Sequence, residues 1–272
     1  MSFRLYLPSS VNEAVRIQSE TGGQYLAGGT VTLVNNHHGK KIGEVQISLS
    51  RIKELEEISF ADGFLAIGSM VTMDRLENSP LVKEHAFALW KAASEVGGPQ
   101  IRNRATIGGN LAAASPSSDC AVPLLSLNAV LSVQGKEGGR EIPVRKFFTG
   151  YLSHALTEGE LITSVRIPVK EGTVSVFRKV GKRNALSVSC INMAVVRNGH
   201  EYSVSVGASA PVPVFCEKTS EILSKTGDIP AAREQILSEI SPIDDRYATA
   251  SYRRTVCGNL LNALISETEG RK

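Results

Sequence analysis

GGPQIRNRATIGGNLAAASPSSD (97–119) runs directly into CAVPLLSLNA (120–129), and the fold turns on this stretch. The first part is rich in glycine and small polar side chains. It has neither a helical nor a strand period, so it reads as a long extended loop. Such a loop is uncommon inside a compact domain unless it has a task. Its centre is Thr106-Ile107-Gly108-Gly109-Asn110. Two glycines permit close backbone approach. The Thr and Asn, with Ser118 and Asp119 downstream, suit a hydroxyl-rich partner such as a ribose or ribityl chain. The competing reading is an Ω-type surface loop closed by Asx and Ser turns. The length of the stretch, uncharged from Leu111 to Ser118, argues against it. The apolar run 120–129 predicts a buried helix.

Working outward, PLVKEHAFALWKAASEV (80–96) places Val82, Ala86, Leu89, Ala93 and Val96 at helical spacing. EISFADGFLAIGS predicts a hairpin about Asp62-Gly63, and Thr72 predicts the cap of a short helix ending near Ser79. VLSVQGKEGGREIPV predicts another hairpin. Towards the N-terminus, Ser10 and Glu13 form a capping box for a helix over 9–21, stopped by Gly22-Gly23. QYLAG and VQISL (45–49) read as strands. A second glycine pair, Ala27-Gly28-Gly29-Thr30, follows the first of these. Its amides and hydroxyl can form an anion-binding nest, but on these residues alone a plain tight turn is the better reading. Downstream, LITSVRIPV, TVSVFRKVG, LSVSCINMAVV and EYSVSVGAS predict four strands of an antiparallel sheet. Helices are expected over 214–225, 230–240 and 246–267. Strands followed by helices define an α+β unit. Boundaries are placed near 168–172 and, within the first part, near 50–56.

Composition narrows the function. The chain has 272 residues and a formal charge of +3, too small and dispersed for a nucleic-acid binder. Aromatic residues are only 6%, which disfavours a base-stacking platform. No apolar run is long enough to span a bilayer, and MSFRLYLPSSVNEA shows no leader pattern. Cys120, Cys190, Cys216 and Cys257 are scattered, with no Cys-x-x-Cys spacing. They fit neither a disulfide scaffold nor a metal cluster and point to a cytoplasmic location. The histidines, of which only 37 and 38 are neighbours, lack metal-ligand spacing and read as solvated loop residues. There is no Gly-x-Gly-x-x-Gly, P-loop or Gly-x-Ser-x-Gly pattern. Cys190 reads as core. Tyr252-Arg253-Arg254 reads as a helix face with solvated arginines.

The two glycine loops taken together, AGGTVTL and TIGGNLAAASPSSDCAVPLLSLNA, resemble the FAD-binding medium subunit of the molybdenum hydroxylases, the xanthine dehydrogenase and carbon monoxide dehydrogenase family. LPSSVNEAVRI, IGSMVTMDRLENS, GGPQIRNRATIGGN and ASYRRTVCGNLLNAL extend the resemblance over most of the chain. It implies an α+β fold. An FAD-binding domain of the vanillyl-alcohol-oxidase/PCMH type over 1–168 (subdomains about 1–55 and 56–168) would precede a C-terminal flavoprotein domain over 169–272, with a small antiparallel sheet and helices. It implies FAD held without a covalent bond, since Thr30 stands where covalent relatives often carry His. Ala27, Gly28, Gly29 and Thr30, with Val31, Thr32 and Leu33, would wrap the pyrophosphate. Gly68 and Ser69 would lie close to the flavin. Ala105, Thr106, Gly108, Gly109 and Asn110 would hold the pyrophosphate and ribityl side. Ser118 and Asp119 would form a polar pair, Asp119 accepting from ribityl or ribose hydroxyls. Arg183 would face the ring. The sequence departs from animal xanthine enzymes at Val96, where they place an aromatic, and at Cys190, where they place a lysine. No catalytic residue and no metal ligand is implied on this chain. An iron–sulfur small subunit with a [2Fe–2S] centre and a molybdopterin large subunit would be partners, with NAD or another acceptor taking the electrons. The alternatives are a non-catalytic nucleotide-binding module on the same fold and a stand-alone flavin oxidase.

Overall fold

The computed structural model describes residues 4–39, 42–183 and 186–271. The fold is α+β and is built on three main sheets, beside a two-stranded pair of Phe148–Gly150 and Ser153–His154. The first is parallel, with Val45–Ser48 between Arg4–Tyr6 and Gln24–Leu26. Parallel pairing requires crossovers. The helix Val11–Thr21 supplies the first, and its buried Ala14, Val15 and Ile17 face the core. Ser10 caps this helix by accepting from Glu13 N, while the Glu13 carboxylate accepts from Ser9 rather than Ser10. Gly22 ends it at φ 64, where a side chain is strained.

The second sheet is antiparallel, in the order Ile58–Ala61, Phe64–Gly68, Leu161–Pro168, Val130–Gly135, Gly138–Pro143. Both predicted hairpins are present. Asp62 (φ 52) and Gly63 (φ 75) make the first turn, as a two-residue hairpin demands. Leu161–Pro168 does not join the strands that follow it. It pairs with Phe64–Gly68 on one side and Val130–Gly135 on the other, which buries Val165 and Ile167 in the largest core. The expected run of four consecutive strands in one sheet is therefore corrected. The third sheet takes only Val174–Gly181, Ser189–Asn198 and Glu201–Gly207, plus a short strand Val214–Phe215.

Helices Glu217–Thr226, Ile229–Glu239 and Ala250–Gly270 cover one face of the third sheet through Leu223, Ile236, Leu261 and Leu264. The other face packs on Phe87–Ser94 and Ala121–Ser126, where Ala88, Ala92, Val122, Phe177 and Ala194 meet. Alanines at this seam let helix and sheet backbones approach closely, and Ser189–Asn198 is consequently buried over its first eight residues. All six residues of Ala121–Ser126 are buried, as the apolar run predicts.

Four further expectations need correction. The helix over 80–96 breaks at Ala86 (φ −145, ψ 56) into Pro80–His85 and Phe87–Ser94. The break turns the chain so that Leu89 and Ala93 reach the main core while Ala88 and Ala92 reach the third sheet. The loop 97–119 is not fully extended: it contains short helices at Pro99–Arg102 and Ile107–Ala112. Arg253 is not solvated. It is 3% exposed and donates to Ala208 O and to Asp245 Oδ1 (2.6 Å), anchoring a residue at φ 58. His85 and His154 likewise stack on Phe60 and Phe147.

Candidate functional site

The structure brings the two glycine loops into contact. Gly28 lies so close to the second loop that a Cβ built on it would sit 1.8 Å from Arg104 O and 3.2 Å from Ala105 Cα. Only glycine fits there. A Cβ on Gly109 would lie 3.8 Å from Ala27 Cβ. Ser69 joins from a third direction. Its carbonyl accepts from Gly108 N (2.9 Å), and a Cβ on Gly108 would be 2.7 Å from Ser69 Cβ. Gly68 is pressed against Leu55 O in the same way, with a Cβ approach of 2.3 Å. These glycines thus serve first to let three backbone segments touch.

The loops differ in what their amides do. In the second, Ile107 N donates to Val71 O (3.0 Å), Gly108 N to Ser69 O, and Gly109 N to Thr106 Oγ1 (3.1 Å). Thr106, 2% exposed, is the N-cap of Ile107–Ala112; Ala105 is buried beside it and gives its carbonyl to Met73 N. In the first loop, Gly29 at φ 75 turns the chain and Thr32–His37 forms a helix. The first i→i−4 bond runs from Leu33 N to Gly29 O (3.0 Å). The amides of Thr30, Val31 and Thr32 precede it and have no acceptor within the helix. This concentration of donors is the feature an anionic phosphate requires. The helix buries none of its residues, and Val31, Leu33 and Val34 are about half exposed.

The chain's own residues fit a flavin nucleotide in two further respects. The buried Ser69 hydroxyl has no hydrogen-bond partner within the described residues, a cost that a ligand oxygen would relieve. Ser118 Oγ donates to Asn110 Oδ1 (2.6 Å) and accepts from Ala121 N (3.3 Å), which defines Nδ2 as the donor end of Asn110.

Asp119 is 7% exposed and turned to the third sheet. Its Oδ1 accepts from Ser189 Oγ (2.6 Å) and Asn192 Nδ2 (2.7 Å), and its Oδ2 from Lys179 Nζ (2.5 Å). A carboxylate offers about four acceptor positions, so one is left for a further donor. Sequence reasoning missed Lys179, Ser189 and Asn192. Lys179 stood in the KVGKR segment, but only the strand register reveals that it points at Asp119. Cys190 points elsewhere, its thiol donating to Tyr247 O (3.4 Å). Val96 is half-buried against the main core. The Arg183 guanidinium is exposed and donates to Leu186 O (2.7 Å). Leu186 Cδ2 lies 2.6 Å from a Cβ built on Gly98, at the start of the second loop.

All four cysteines are buried and free. Burial pushes the Cys120 thiol well above its usual range, with Asp119 adding to the effect, and pushes Cys257 up to about 12. Neither is a nucleophile. Among the described residues no cluster of His, Cys, Asp or Glu could hold a metal, and no helix is long and apolar enough to cross a membrane.

A parallel sheet, an antiparallel sheet and a helix-backed third sheet, joined around two glycine loops, define an FAD-binding oxidoreductase subunit. Residues 1–170 match the FAD binding domain in molybdopterin dehydrogenase, residues 176–268 match the CO dehydrogenase flavoprotein C-terminal domain, and the chain belongs to this family. It is 31% identical over 254 residues to the putative xanthine dehydrogenase FAD-binding subunit of Escherichia coli K12, covering 89% of this chain and 87% of the relative. It is 27% identical to the carbon monoxide dehydrogenase medium chain of Hydrogenophaga pseudoflava, covering 99% and 98%. It superposes on a chain of the reconstituted CO dehydrogenase from Oligotropha carboxidovorans with a TM-score of 0.95 at 25% identity, covering 100% and 99%.

Proposed function

We propose that this chain holds FAD non-covalently between its two glycine loops and relays electrons within a multi-subunit molybdenum hydroxylase. The observation that carries this reading is the contact between loops distant in sequence, made through Gly28 and Arg104–Ala105, with the amides of Thr30, Val31 and Thr32 beside it. These amides, with Ala27 to Gly29 shaping the turn, would bind the pyrophosphate. Thr106, Asn110 and Ser69 would face the ribityl side, and Asp119 would offer its remaining acceptor position there. Gly108 and Gly109 act through close packing, since their own amides are already bonded. Arg183 would face the ring, and Val96 would stand where animal xanthine enzymes place an aromatic over it. Bound FAD supplies a carrier that accepts electrons singly or in pairs.

The four cysteines are dispersed through the chain, so a [2Fe–2S] donor would sit on a small subunit and molybdopterin on a large one. Relatives named as medium chains fit a heterotrimer. NAD or another acceptor would take the electrons, and the complex would be cytoplasmic. The division of labour would fall at 168/169, the FAD-binding part preceding the C-terminal sheet.

The test is the visible spectrum of the purified chain, with the cofactor released by heat and identified. A flavin spectrum and released FAD support the reading. A colourless chain that stays colourless after incubation with FAD would overturn it and leave a binding module on the same fold.

A further inference from the structure

The buried ammonium of Lys179 ties together both ends of the second loop. Its Nζ donates to Glu95 O (2.9 Å), just before the loop begins, and to Asp119 Oδ2 (2.5 Å), where it ends. Lys179 belongs to neither end. It comes from Val174–Gly181, the edge strand of the third sheet. The Lys179 and Asp119 side chains are each 8% exposed. Ser189 and Asn192, from the adjacent strand, hold the other carboxylate oxygen. One cation from the C-terminal sheet thus bridges the two ends of the loop, while its middle is bonded to Ser69, Val71 and Met73.

Two physical facts give this arrangement leverage. A buried ion pair adds little net stability by itself, but removing one partner strands the other charge, a strongly unfavourable change. Asp119 also follows Ser118, which fixes Asn110, so a shift of the carboxylate moves the polar end of the loop.

We propose that Lys179 is a positioning residue for the flavin site: it sets the closure of loop 95–119 and couples docking of the C-terminal sheet to FAD binding. The inference rests on the FAD reading above. Lys179 itself need not touch the cofactor. It acts through Glu95 O and Asp119, and its charge contributes to the field of the site.

The experiment uses the full chain and its Lys179→Met, Asp119→Asn and double variants. FAD affinity is measured by flavin fluorescence, the midpoint potential of the bound flavin by redox titration, and the melting temperature separately. Lys179→Met is expected to raise the FAD dissociation constant about tenfold or more and to make the potential more negative, because one positive charge is lost near the site. The double variant removes both charges. Its potential is expected to return towards wild type while its affinity stays low, because the bond to Glu95 O is still missing. If Lys179→Met does not fold, Lys179→Gln, which keeps an amide donor without the charge, is expected to shift the potential with a smaller loss of affinity. A variant that lowers only the melting temperature, with wild-type affinity and potential, would overturn the inference. So would a double variant whose potential stays with that of Lys179→Met. A wild-type chain that binds no FAD would defeat the proposed function itself and is thereby told apart.

Discussion

The first and second glycine loops look alike in sequence and do different work. In the second loop the amides of Ile107, Gly108 and Gly109 are bonded to Val71, Ser69 and Thr106. In the first, Thr30, Val31 and Thr32 lie ahead of the first helical hydrogen bond, at Leu33. The second loop has bonded these amides within the protein, while in the first they precede the helical bonding. A Gly-Gly pair thus marks close backbone approach, but whether a ligand or another segment of chain makes that approach depends on the partners of the neighbouring amides.

The contrast breaks most sharply at Gly28. Because a Cβ there would sit 1.8 Å from Arg104 O, Gly28→Ala must part the two loops. We expect a loss of about 3 kcal/mol, the upper end for overpacking, together with loss of FAD binding. Denaturant unfolding of the apoprotein checks it, and a variant of wild-type stability would refute the contact.

Hydrogen exchange separates the loops directly. Ile107, Gly108 and Gly109 amides should be protected without FAD. Thr30 to Thr32 should exchange fast and slow by about 100-fold when FAD is added at some hundred times its dissociation constant, corresponding to roughly 2.7 kcal/mol. Equal protection of both loops in the apoprotein would erase the distinction.

Thr106→Ala removes the hydroxyl that caps Gly109 N. A lost N-cap costs about 1 kcal/mol, so thermal stability should fall modestly in the apoprotein, before any effect on FAD. An unchanged melting curve would mean that Thr106 is kept for the ligand alone.

The smallest effect lies away from both loops. Paired hydrogen bonds from Arg140 (2.6 and 2.8 Å) hold the Glu160 carboxyl down at about 2. A depressed carboxyl stabilises the fold above its unfolded value near 4.5, and that contribution fades as pH falls from there towards 2. Arg140 is exposed, so Glu160→Gln should cost only about 0.5 kcal/mol at neutral pH and nothing at the acid end. Loop exchange rates should not change.

Much of the fold was legible because its signals are local. The Ser10 cap, the Asp62-Gly63 turn and the apolar 121–126 run each involve neighbours in sequence, and each forms as predicted. The misplacement of Leu161–Pro168 has a different origin. Its β-branched pattern identifies a strand, but sheet membership depends on Val130–Gly135 and Phe64–Gly68, which lie far upstream. Arg253 was misread for a similar reason: a charged residue on a long helix looks solvated until Ala208 O and Asp245 are brought to it.

The sequence by itself determined that this chain carries two glycine loops of the flavoprotein kind and no cysteine cluster, because composition, spacing and turn chemistry are properties of short segments. Only the tertiary structure decided that the loops touch, that one has spent its amides and the other has not, and that Lys179 closes the second loop from a distant strand. Those facts arise from the packing of helices and sheets distant in sequence, in which a residue's partners are set by where the whole chain places its backbone.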